Sequence, residues 1–134
     1  MGSEWPLAAR ASGAMKTATL VCALLLCAAS AAAQQAPALS EAQKIDALIQ
    51  TVGGLRGAVF IRNGSEYDGQ AAADHLRLKR EKAGSRVATA DDFIRRCGSV
   101  SSMSGRPYQI RWADGRTETS EAFLRARLAE LEKR

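Results

Sequence analysis

The sequence predicts a small α+β domain with about four helices and a short two- or three-stranded sheet. Four segments combine helix-capping residues with helical spacing of apolar residues, and two β-rich runs lie between them. The resulting order, α-β-α-α-β-α, is typical of α+β proteins. Hydrophobic residues make up 46% of the 134-residue chain and charged residues 25%, so a disordered chain is excluded and the length suits a single domain.

Residues 1–33 are predicted to be a signal peptide region that is removed from the domain. From Met15, a lysine precedes a short apolar run that ends in small residues, which is the pattern of a secretory signal peptide. Met15 is the better start codon, and cleavage is expected between Ala33 and Gln34. The apolar run is shorter than the roughly 20 residues of a membrane span, so we expect a periplasmic protein with no transmembrane anchor after cleavage.

After a linker at residues 34–38, the predicted domain spans residues 39–134. Ser40 and Gln43 form a capping box that begins the first helix. Its apolar residues are Ile45, Leu48, Ile49 and Val52. Gly53 and Gly54 end this helix because glycine adopts cap conformations at little cost.

The middle of the domain is predicted to be a strand followed by two helices. Residues 58–61 form a β-rich run that the Asn63-Gly64 turn stops. Asp68 caps the second helix, expected over residues 69–83. Thr89 with Asp92 caps a short third helix that Gly98 closes.

The last part of the domain is predicted to be a loop, a strand and a helix. Small residues form the loop over residues 99–105, and Tyr108, Ile110 and Trp112 then alternate with polar residues as in a strand with one buried face. Asp114-Gly115 turns the chain. The final helix is expected over residues 119–133.

Four motifs, taken together, resemble those of a known bacterial family. They are F-I-R-N-G-x-x-Y from Phe60, A-A-x-H-L-x-x-K ending at Lys79, T-x-x-D-F-I from Thr89 and S-S-x-S-G-x-P-Y ending at Tyr108. The chain from about Leu39 to Leu131 is similar to the domain of unknown function 5329 family, which comprises small exported proteins of Gram-negative bacteria. The resemblance implies an envelope location and a compact domain, and it assigns no chemistry.

Several kinds of site are absent from the sequence. The chain has one histidine and lacks a Walker loop, a G-x-G-x-x-G motif, a C-x-x-C pair and an H-E-x-x-H motif, so we predict no metal site and no cofactor. Cys97 is the one cysteine outside the predicted leader. It is interpreted as a buried thiol, with a redox-active or dimer-forming cysteine as the alternative.

We predict a non-enzymatic binding or structural module of the bacterial envelope. Polar residues with little packing value concentrate in the β-turn, on one helix face and in the serine-rich loop. The candidate ligand-binding residues are Arg62, Asn63, Tyr67, His75, Lys79, Ser101, Ser104, Arg106 and Tyr108. Successive serines and a glycine beside an arginine favour an anion or a peptide end, while a purely structural turn is the alternative.

A small hydrolase is the alternative function. His75 has an ordinary pKa that suits proton transfer at neutral pH, and a serine of the loop Ser99–Ser104 is the candidate nucleophile, with Ser102 and Ser104 foremost. No G-x-S-x-G nucleophile elbow is present. A close approach between His75 and a loop serine in the structure would favour this function.

The basic run over residues 77–86 indicates the class of partner. Such a run attracts acidic partners. The candidate partners are an envelope protein, a peptide, or an anionic glycan or lipid. The alternative is that these residues form a solvated helix face. Nucleic acid is not expected, since export removes the protein from it and no aromatic residue lies between Asp68 and Asp92 to stack on a base. The sequence leaves the oligomeric state open.

Overall fold

The fold confirms the α+β class. The computed structural model describes residues 35–134, so the predicted signal peptide and its cleavage point lie outside the described residues. The elements are α1 (Glu41–Gly54), β1 (Val59–Arg62), β2 (Ser65–Tyr67), α2 (Gly69–Ala83), α3 (Ala90–Phe93), β3 (Gln109–Arg111), β4 (Thr117–Thr119) and α4 (Ser120–Glu132). Residues 35–134 thus contain four helices and four strands, one strand more than the upper number predicted.

The four strands form one antiparallel sheet in the order β2-β1-β3-β4. Phe60 of β1 pairs with Tyr67 of β2 on one side and with Ile110 of β3 on the other. The two strands that the sequence did not predict, β2 and β4, are the edge strands. Each has three residues and is largely exposed, so neither carries the apolar alternation by which a strand is recognised.

The predicted N-terminal caps of the helices are present, whereas the predicted glycine cap of α1 is wrong, since Gly53 and Gly54 lie within the helix and Leu55 is its C-cap. Ser40 and Gln43 make both hydrogen bonds of a capping box at α1, and Thr89 and Asp92 do the same at α3. The Asp68 carboxylate accepts a hydrogen bond from the backbone at the start of α2. These side chains satisfy backbone donors that a helix leaves unpaired, which explains why the beginnings of these helices were predictable.

The third helix continues differently from its prediction. After the single α-helical turn of α3, residues Ile94–Gly98 form a π-helical turn. Cys97 lies on this turn and is 1% exposed, within the core. A Cβ atom at Gly98 would lie 2.5 Å from Leu124 Cδ1 of α4, so a larger residue here would require the Leu124 side chain to move.

The core lies where the helices meet one face of the sheet. Its fully buried side chains come from all four helices, from the π-helical turn and from β3; they include Leu48, Val52, Ala73, Phe93, Ile94, Ile110 and Leu124. Among residues 35–134, no helix has both the length and the apolar character needed to span a membrane.

Candidate functional site

A cavity of about 250 Å³ lies between the β1–β2 hairpin and α2. Most of its wall is apolar, and the residues that form this apolar part are Phe60, Ile61, Tyr67, Ala71, Ala72 and Leu76. Arg62, His75, Tyr108 and Ser120 add polar groups to the same wall. An apolar cavity with a few convergent polar groups is the usual form of a small-ligand site.

Strand and helix periodicity together bring the polar groups to this cavity. Successive side chains of a strand point to opposite faces, so Arg62 shares with Phe60 the face that meets α2. In α2, Ala71, His75 and Lys79 are spaced four residues apart and therefore lie along one side of the helix. The short turn of the hairpin keeps β1 and β2 together, and Asn63 has the positive φ of 50° that this turn requires.

Four side chains form a continuous hydrogen-bonded chain along the cavity. Arg62 Nη1 lies 3.3 Å from His75 Nδ1, and His75 Nε2 lies 3.4 Å from the Tyr108 hydroxyl. Lys79 Nζ donates to the same hydroxyl at 3.1 Å and to the Val100 carbonyl at 3.0 Å. Because a guanidinium only donates, Nδ1 of His75 must accept, and the ring proton therefore lies on Nε2.

His75 is held neutral by its surroundings. Partial burial and the positive charges of Arg62, Lys79 and Lys82 lower the pKa of His75 below its ordinary value of 6.5. Tyr108 packs edge-on against the imidazole, with ring centroids 6.1 Å apart, and Lys79 Nζ lies 5.0 Å from the Tyr108 ring centroid. The positive charge of the site at neutral pH thus comes from Arg62 and Lys79.

Arg62 has a buried donor without a partner. Its Nε atom is fully covered, and no hydrogen-bond acceptor in residues 35–134 reaches it. Leaving such a donor unpaired costs about 1–3 kcal/mol, more for a charged group. Nη1 of the same guanidinium contacts His75, so the orphaned donor lies on a positively charged side chain in the wall of the cavity.

Three of the predicted binding residues form a separate cluster. The Ser101 hydroxyl is 2% exposed and accepts hydrogen bonds from Asn63 Nδ2 at 3.0 Å and from the Met103 backbone at 3.3 Å. Ser104 in turn donates to the side-chain oxygen of Asn63. This cluster ties the serine-rich loop to the β1–β2 turn, so its polar groups are largely occupied within the protein.

The remaining candidates divide between other surfaces. Arg106 is exposed, and its recorded hydrogen bonds, to Ser101 and Ser104, use its backbone. Ser102 lines a different groove, described below. The fold therefore brings together five of the predicted residues, namely Arg62, Tyr67, His75, Lys79 and Tyr108.

Sequence reasoning missed Ser120 and the apolar wall of the cavity. Ser120 is the first residue of α4, and its backbone N–H donates to the Tyr108 carbonyl at 2.9 Å. No motif marks it, because β4, whose pairing places it beside Tyr108, was not predicted. Apart from Tyr67, the residues of the apolar wall were interpreted only as parts of a strand or a helix.

The structure provides no serine–histidine pair. Within residues 35–134, the hydrogen-bond partners of His75 are Arg62 and Tyr108, and no serine is among them. The same residues contain no group of three or more histidine, cysteine or acidic side chains that could hold a metal ion.

Comparison with known proteins identifies a family without an assigned activity. The model of the family of unknown function DUF5329 matches residues 39–132. An uncharacterised protein, YfeK of Salmonella typhimurium, is 35% identical over 68 residues, which are 51% of this chain and 57% of that protein. The matched segment thus spans little more than half of that relative. No solved structure matches the chain.

Proposed function

This chain belongs to the family of unknown function DUF5329, and we propose that it is a non-enzymatic binding module whose ligand occupies the cavity beside Arg62. The ligand is a small molecule or peptide end with an apolar body and one carboxylate. The observation that carries the proposal is the buried Nε of Arg62, which has no partner within residues 35–134 and belongs to a largely apolar cavity wall. A carboxylate in the cavity can pair with the guanidinium charge, and it reaches the covered Nε once the Arg62 side chain turns towards the cavity.

The size and chemistry of the cavity define the ligand class. About 250 Å³ lies just below the usual range for drug-sized ligands, so the apolar body is a short aliphatic chain or one side chain. His75, neutral and already bonded at both nitrogens, orients Arg62. The Tyr108 hydroxyl accepts from His75 and Lys79, which leaves its own proton free for a second ligand oxygen.

Hexanoate and hexan-1-ol are suitable probes, since they share an apolar body and differ in charge. Titration followed by calorimetry or NMR is expected to show that hexanoate binds more tightly, because the alcohol cannot pair with the guanidinium. In Arg62→Met that preference should disappear, while the apolar part of the binding remains. Equal binding of the two probes to the wild-type protein would contradict the proposal.

Arg106→Met is the matched control, since it removes an exposed arginine whose side chain does not line the cavity. It should bind both probes as the wild-type protein does. Thermal unfolding of both variants checks the fold; Arg62→Met should be nearly as stable as wild type, because losing an unsatisfied donor offsets the lost hydrogen bond to His75. A large loss of stability confined to Arg62→Met would instead give Arg62 a structural role.

We also propose that the module acts in the bacterial envelope. The support is the signal-peptide pattern of residues 15–33. Peptide ends, such as those of envelope proteins, are ligands of the required chemistry in that compartment. Detection of the protein in the periplasmic fraction of its host tests the location separately from the ligand.

A further inference from the structure

A second groove, of about 350 Å³, is lined by basic side chains. It lies where the C-terminal half of α2 and the turn after it meet the π-helical turn and the serine-rich loop. The residues that line it are Lys79, Lys82, Ala83, Arg86, Arg96 and Ser102, and none of these is acidic. We call this surface the basic groove.

The basic groove differs from the rest of the surface in its charge balance. About half of the basic side chains of residues 35–134 form ion pairs: Lys44, Arg77, Arg80, Arg95, Arg111, Arg116, Arg125 and Arg127. None of the four basic residues of the groove is in that group. Neighbouring like charges repel one another, so the groove concentrates positive charge that the described part of the chain leaves uncompensated.

Helix capping explains only part of this cluster. Lys82 and Arg86 lie at the C-terminal end of α2, where cations interact favourably with the helix dipole, and Arg86 donates to the carbonyls of Lys82 and Ala83. Arg96, however, comes from the π-helical turn. Its neighbour Arg95 pairs with Asp92 at 2.6 Å, whereas Arg96 lines the groove and has no acidic partner among residues 35–134.

Exposed apolar side chains lie beside the same groove. Met103 directly follows Ser102 in the loop and is 87% exposed, and Val100, whose carbonyl accepts from Lys79, is 38% exposed. Leu78, one helical turn before Lys82, is 46% exposed. Hydration of these side chains is unfavourable, and none of the three belongs to the core cluster.

We propose that the basic groove and the adjacent loop form a docking surface for an anionic phospholipid membrane. Cations at the level of lipid phosphates and apolar side chains that enter the interface are the two components of peripheral membrane binding. The cations are supplied by Lys79, Lys82, Arg86 and Arg96. The apolar side chains are those of Met103, Val100 and Leu78. A soluble polyanion would use the cations and leave Met103 without a role, so the exposed apolar residues favour a lipid surface.

Vesicle sedimentation tests the proposal, with phosphatidylcholine vesicles that either lack or contain about one-third phosphatidylglycerol. The wild-type protein is expected to bind the anionic vesicles more tightly, and added salt should weaken this binding. Lys82→Glu/Arg96→Glu should lower the affinity at least about tenfold, given the contribution of each basic residue near an anionic surface. The wild-type protein and all variants are compared with the same N-terminus, so any contribution of residues 1–34 to vesicle binding is equal in all of them.

Arg56→Glu/Lys133→Glu is the matched control, because it makes the same change in net charge with unpaired basic residues that do not line the groove. It should retain most of the binding. Met103→Ser should weaken binding without changing its salt dependence. Equal binding to neutral vesicles, an equal loss in the control, or full binding by Met103→Ser overturns the proposal. The altered side chains are exposed, and circular dichroism checks that each variant folds.

Discussion

At the scale of single residues, Arg62 and His75 have complementary roles. The guanidinium has a covered Nε without a partner, and the imidazole accepts from Nη1 of the same side chain. Arg62 also contributes to the lowered pKa of His75. His75 is therefore a neutral hydrogen-bond acceptor for Arg62, and its chemistry depends on residues outside α2.

The neutral state of His75 predicts a pH dependence of stability. In the unfolded chain the imidazole titrates near 6.5, while in the fold partial burial and the charges of Arg62, Lys79 and Lys82 lower its pKa. Below the unfolded pKa the unfolded chain binds more protons, so the contribution of His75 to stability is present above about pH 6.5 and is lost as the pH falls towards the folded pKa.

Urea unfolding of the wild-type protein and of His75→Gln, between about pH 7.5 and pH 5, measures this effect. The wild-type protein should lose stability faster than the variant as the pH falls. The variant serves as the control for carboxylates, which titrate in both proteins. A steeper loss in His75→Gln would mean that the imidazole is charged in the fold.

At the scale of elements, the contact between α1 and α2 depends on a glycine. Gly69 is the first residue of α2, and a Cβ atom there would lie 2.6 Å from the Val52 carbonyl oxygen and 3.0 Å from that of Leu55. Both are backbone atoms at the end of α1 and cannot rotate away. The position of α2, and with it of His75 and Lys79, follows from this close approach.

Gly69→Ala is expected to destabilise the protein by about 1–3 kcal/mol, because the helices must move apart. Gly54→Ala is the matched control: Gly54 ends α1, and nothing lies within 4 Å of a Cβ atom there. This variant should be unchanged or up to about 1 kcal/mol more stable, since alanine restricts the unfolded chain. Chemical unfolding of both variants checks the prediction, and equal effects would show that the α1–α2 contact adapts.

At the scale of the whole molecule, the core encloses the one thiol that lies outside the predicted leader. Cys97 is 1% exposed, and burial raises the pKa of its thiol. A thiolate is the reactive form, so this environment opposes both oxidation and disulfide formation. The structural interpretation of Cys97 is thus favoured over the redox-active or dimer-forming alternative.

Cys97 is expected to react slowly with a thiol reagent until the protein unfolds. A Cys22→Ser/Cys27→Ser chain isolates its signal, because Cys97 is then the remaining cysteine. Reaction should be fast in denaturant and slow in buffer, and non-reducing electrophoresis should show no Cys97-linked dimer. Rapid labelling of the folded protein would contradict the burial of Cys97.

The predicted export of the whole molecule has its own test. Expression of the chain in a Gram-negative host, followed by intact-mass measurement of the periplasmic protein, is expected to give a product that begins at Gln34. Replacing Ala33 with a bulky residue such as Phe should slow or shift the cut, while the same change at Gln35 should have little effect. A full-length product in the cytoplasm would show that residues 1–33 are not a cleaved leader.

The sequence by itself determined the α+β class, the beginnings of the helices and the location of His75 and Lys79 on the second helix. These features depend on local interactions: Ser40, Asp68 and Thr89 bond backbone groups three residues away, and helix-spaced apolar residues fix the buried face. The tight turn at Asn63-Gly64 was predictable for the same reason, since it follows from the conformational freedom of two adjacent residues.

The tertiary structure alone decided which candidates share a site. The pairing of β3 with β1 and β4 places Tyr108 between His75 and Ser120, and the edge strands have too few apolar residues to be predicted. It separated Ser101 and Ser104, which bond to Asn63, from the cavity, and it brought Arg96 to the basic groove. Contacts between residues distant in the chain depend on packing and pairing, which local propensity does not encode.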